Sequence, residues 1–63
     1  MLMVFYEKNK VLSYQEPLRV MKSEFNPKPS IGEMVVIKTI MFKVCDVTIN
    51  YDEHQIIVIV DRV

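Results

Sequence analysis

Five consecutive β-branched residues, Ile56 to Val60, constrain this chain more than any other feature. Val, Ile and Thr dominate everything from Met34 onward, and such side chains stiffen against a helical backbone. The run is far shorter than the roughly 20 apolar residues that a membrane span needs. Read as a strand, it places Ile56, Val58 and Val60 on one face and Ile57 and Ile59 on the other. Met34 to Ile37 repeats the pattern, with Val35 and Ile37 opposing Met34 and Val36. A half-solvated antiparallel sheet alternates apolar and polar residues, and these strands do not. Either the Pro-rich stretch of about residues 16–32 covers their outer faces, or these form an exposed patch for a partner or a second copy; the patch is expected, because one short arm covers both strands poorly.

Around this core the chain reads as a succession of strands. Leu2 to Tyr6 is β-prone, and Glu7 to Lys10 forms a turn in which Asn9 tolerates a left-handed backbone. Val11 to Gln15 then completes an N-terminal hairpin, with Leu12 and Tyr14 on one face. A different stretch comes next, about residues 16–32, holding all three prolines and the single glycine. Pro17, Pro27 and Pro29 lack the N–H that a central strand requires. Leu18, Val20, Met21 and Phe25 anchor this stretch as an arm over the barrel mouth, with one helical turn or a short irregular strand between Arg19 and Phe25. Gly32 supplies backbone freedom where the next strand, Met34 to Lys38, opens. Thr39 and Ile40 form a tight connection with neither Gly nor Pro.

A long strand runs from Met41 or Phe42 to Tyr51, and its alternation slips once. Phe42 and Val44 share a face, and the pattern resumes at Val47, Ile49 and Tyr51. One extra residue near Cys45 and Asp46 restores the phase, which is the signature of a β-bulge. The polar segment Asn50 to His54 turns the chain into the last strand, Gln55 to Val60. Short connections between successive strands predict an antiparallel meander. The expected fold is all-β: residues 1–63 as one five-stranded antiparallel barrel or strongly curved sheet.

Size limits what such a domain can hold. A chain of 63 residues buries only about 60% of its unfolded surface, so association with a second copy adds stability it otherwise lacks. An internal disulfide is excluded because Cys45 is the only cysteine, and a lone thiol suits a reducing cytoplasm. The apolar start, Met1 to Tyr6, ends at Glu7 and is too short for a signal-peptide core. A soluble, cytoplasmic protein with no membrane span is expected. Eight basic and eight acidic side chains cancel, which removes any long-range pull on nucleic acid and lowers the barrier to self-association.

Candidate chemistry is sparse. Asp52, Glu53 and His54 offer two carboxylates and an imidazole, but consecutive turn residues seldom converge on one ion. Cys45 and His54 form a conceivable nucleophile and base, without any residue pattern that marks an orienting group or an oxyanion site. One glycine cannot build a phosphate loop. Pockets of roughly 300 Å³ or more are hard to enclose in so short a chain. No catalytic residue, metal ligand or cofactor is assigned, and a non-enzymatic role is expected.

Residues 29–60 carry a recurring pattern. Pro29-Ser30-Ile31-Gly32-Glu33 opens a strand, Phe42-Lys43-Val44 and Val47 come after it, and Ile56 to Val60 closes it. This resembles small SH3-like barrel proteins of phages, prophages and Gram-positive bacteria. The resemblance implies a small accessory protein that acts by binding rather than catalysis, and it transfers no functional residue. Signalling SH3 domains are not implied, since the chain lacks tryptophan and their peptide groove.

Two binding roles are compatible with these residues. The first is a protein-binding or self-assembling module, a homo-oligomer or a modulator of a host protein, acting through the outer apolar residues Met34, Val36, Ile57 and Ile59. The second is a nucleic-acid-binding barrel using Lys8, Lys10, Lys38 and Lys43.

Overall fold

The computed structural model describes residues 1–8 and 16–63. Five strands form one sheet: β1 (Leu2–Glu7), β2 (Arg19–Lys22), β3 (Met34–Ile37), β4 (Ile40–Asn50) and β5 (Gln55–Arg62). Their order is β2-β1-β5-β4-β3, curled into a nearly closed barrel, and no helix occurs among the described residues. The expected second strand of the N-terminal hairpin, Val11 to Gln15, lies outside the described residues.

The all-β expectation holds, with one correction to strand direction. Three pairings are antiparallel, but β1 runs parallel to β5, from Leu2 opposite Gln55 to Glu7 opposite Val60. Short turns dictate antiparallel pairing only between consecutive strands. That rule governs β3–β4 and β4–β5. β1 and β5 are far apart in sequence, so no turn fixes their relative direction. The pairing puts β5 at the centre of the sheet, so its outward-facing Ile57 and Ile59 are flanked on both sides and half-buried.

The inner face carries the core. Met3, Phe5, Ile37, Phe42, Val44, Ile56, Val58 and Val60 form one buried cluster, with Met21, Val35 and Val47 packed against it. Val4 points to the opposite face yet is only 3% exposed, so β1 is buried on both sides. On that face its cross-strand neighbours are Val20 and Ile57. The buried Glu7 carboxylate accepts a hydrogen bond from Arg62 Nε at 3.1 Å, and the Arg62 guanidinium lies 6.0 Å from the Phe42 ring centroid.

The bulge falls where the sequence places it. Val44 pairs with Val60 and Asp46 with Ile59, leaving Cys45 as the extra residue. The segment from 16 to 32 is less arm-like than expected, because Arg19 to Lys22 pairs regularly with β1. A turn through residues 23–26 and an extended stretch lead on to β3. Gly32 has φ of 94°, in the region glycine favours, and its N–H donates to Val44 C=O at 2.9 Å.

Candidate functional site

The residues expected to form one apolar surface separate into two groups. Met34 and Val36 lie on β3 and are 48% and 64% exposed; Met41, opposite Val36 on β4, is 51% exposed. Ile57 and Ile59 lie on the central strand and are half-buried. Each has an apolar or aromatic neighbour on β1, Val4 and Tyr6 respectively, and a polar one on β4, Thr48 and Asp46. Met34 sits in a different row, beside Lys43 and Asp61.

The basic residues of the nucleic-acid reading are also dispersed. Lys43 pairs with Asp61, and Lys8 extends the β1–β5 ladder by donating its N–H to Val60 C=O. An acidic side chain thus stands in the row that holds these two lysines. Lys38 is in the turn at the far end of β3, and Lys10 lies outside the described residues. The exposed turn holding Asp52, Glu53 and His54 is not part of any metal-binding group, and none of three or more ligands occurs among the described residues. Cys45 lies midway along the β4–β5 ladder, whereas His54 lies in the turn beyond its hairpin end. The four steps from Asp46 to Asn50 alone span about 13 Å at a strand's rise. Cys45 Sγ instead contacts Lys43 C=O at 3.6 Å.

A different site emerges where the barrel fails to close. β2 and β3 end the strand order, and no strand pairs their outer edges among the described residues. The phase of hydrogen bonding is set by the turns. Lys38 and Thr39, with φ of 52° and 68°, form a two-residue hairpin of the left-handed kind, flanked by Ile37 and Ile40. Val44 N–H donates to Glu33 C=O at 2.8 Å, so the odd-numbered residues of β3 bond to β4. The N–H and C=O groups of Met34 and Val36 therefore point away from β4, toward the open seam. On β2, Ser23 N–H donates to Met1 C=O at 3.0 Å, which turns the backbone groups of Val20 and Lys22 toward the same seam. The Lys22 carbonyl is already satisfied by Asn26 Nδ2 at 2.8 Å.

Between the two edges lies a cavity of about 430 Å³. Its floor is apolar, made by Met3, Phe5, Met21, Val35 and Ile37. Pro27 and Pro29 form part of its wall, and Arg19 and Lys38 supply its charge. No carboxylate lines it among the described residues, and neither cation has an ion-pair partner there. Nearby acids are engaged elsewhere. Glu33 accepts from Ser30 N–H, and Glu24 pairs with the N-terminal ammonium at 2.6 Å. That ammonium, with the Ser23 hydroxyl, holds the Glu24 carboxyl below the ordinary glutamate range.

Sequence reasoning missed this seam and missed Arg19. Which edges stay open depends on strand order, and residue pattern does not encode it. The prolines on either side of Lys28 were the one available signal, since proline belongs beside edges rather than within sheets. No family model, no curated protein and no solved structure matches the chain.

Proposed function

We propose that this chain is a non-enzymatic binding module that engages a protein partner, or a second copy of itself, through the surface around the outer edge of β3. The observation that carries this reading is the exposure of Met34, Val36 and Met41 on adjacent strands beside an edge that no described strand pairs. Methionine side chains adapt to varied partner shapes, and an exposed edge strand is a ready template for association. The likeness of residues 29–60 to SH3-like barrels of phages and prophages supports an accessory role, in which binding modulates a host protein in the cytoplasm. A balanced charge leaves little repulsion to oppose docking.

Met34→Lys with Met41→Lys tests the reading, because neither side chain lines the seam cavity or belongs to the core cluster. The double variant is expected to fold, to lose any dimer seen by light scattering and to lose capture of the native partner. A folded variant with unchanged mass and unchanged capture contradicts it. Ile57 and Ile59 are poorer test positions, since lysine at a half-buried central-strand site perturbs the fold itself.

A further inference from the structure

The binding role proposed above extends to a partner of definite chemistry, and the extension rests on that role. We propose that the seam between β2 and β3 receives an extended acidic peptide. The peptide adds as a strand to the edge of β3, places one bulky apolar side chain in the cavity, and presents carboxylates to Arg19 and Lys38.

Three observations converge on this occupant. Backbone groups of Met34 and Val36 on one side, and of Val20 on the other, face the seam with no described strand to pair them. Strand addition satisfies such groups directly, while alternate side chains read the pockets on one face. The cavity, at about 430 Å³, lies within the usual span of ligand sites, and Met3 and Phe5 make its floor apolar. Its two charges, Arg19 and Lys38, are both positive and both without an ion-pair partner among the described residues. A carboxylate on either side of an apolar anchor complements that rim.

A second copy of the chain does not fit the same space. Its β3 strand carries β4 on the other side, so it cannot enter a gap bounded by β2. A free peptide strand has no such attachment. Nor does a phosphate backbone match the seam, since it offers neither strand-pairing amides nor an apolar side chain for the floor.

The test is selection from a displayed library of random heptapeptides against the whole chain, followed by titration of a selected peptide into ¹⁵N-labelled protein. Enriched peptides are expected to carry Asp or Glu around a bulky apolar residue at alternating positions, and to shift the amides of Val20, Met34 and Val36. Arg19→Glu with Lys38→Glu is expected to weaken binding at least tenfold. Val36→Pro, which removes a seam-facing N–H and no β3–β4 bond, should do the same. N-methylation of the peptide backbone should abolish binding, which separates strand pairing from simple charge attraction. Selection of basic or proline-rich peptides, absence of enrichment, or binding untouched by the charge reversal would overturn the proposal. Should it fail while Met34→Lys with Met41→Lys still abolishes association, the seam is wrong and the outer-surface reading stands. If that double variant changes neither mass nor capture, the broader reading fails first.

Discussion

Thr39 carries a backbone conformation that its own side chain opposes. With φ of 68°, it occupies the left-handed region that β-branched residues avoid, and Lys38 before it is left-handed too. The β3–β4 hairpin holds them there because its turn is of type I′, which matches sheet twist with positive φ at both positions. The Thr39 hydroxyl donates to Lys38 C=O at 2.5 Å, a partial local compensation. Thr39→Gly is expected to raise stability by about 1 kcal/mol, from relief of left-handed strain. A urea midpoint that rises without a change in slope checks it; a fall would mean the hydroxyl contact outweighs the strain. Arg62 poses a contrasting case. Its bond to the buried Glu7 is part-exposed, so Arg62→Ala should cost only about 1 kcal/mol, including its packing over Phe42. These residue-level features were invisible in the sequence. Nothing about Lys38-Thr39 advertises a left-handed turn, which usually shows itself by Asn or Gly. Glu7 reads as the start of a turn, yet it ends β1 with a buried carboxylate that accepts from an arginine 55 positions away.

At the scale of elements, residue pattern was informative wherever contacts are local. The slipped alternation around Cys45 located the bulge, since phase within one strand is written in consecutive residues. Gly32 marked a positive φ for the same reason. Two predictions separate the bulge's backbone role from its side chain. Cys45→Ala should change stability by no more than about 0.5 kcal/mol, because the half-buried thiol makes only a weak contact. Deleting Cys45 should destabilise by clearly more, since it removes the extra residue that bends β4. Equal thermal midpoints for the two variants would show that β4 does not need its bend. The parallel β1–β5 pairing was not legible. Strand direction between distant segments is decided by how the whole sheet closes, and hydrophobic alternation is the same for either direction.

At the scale of the molecule, two-sided hydrophobicity has two outcomes that a sequence cannot separate. β5 is apolar on both faces and central, flanked by β1 and β4. β3 is apolar on both faces while standing at the end of the strand order, with Val36 and Met34 exposed. Identical residue chemistry is thus half-buried on the outer face of one strand and exposed on the other. Strand order alone distinguishes them. It also creates the seam, where two edges, an apolar floor and the Arg19 and Lys38 cations meet.

Amide hydrogen exchange resolved by residue tests that openness most directly. Backbone N–H groups of Val20, Met34 and Val36 should exchange rapidly, while those of Val35 and Ile37 on the same short strand, and of Ile57 to Val60 at the centre, exchange orders of magnitude more slowly. Protection of Met34 and Val36 equal to that of β5 would mean that another strand already pairs the edge, and would contradict an open seam.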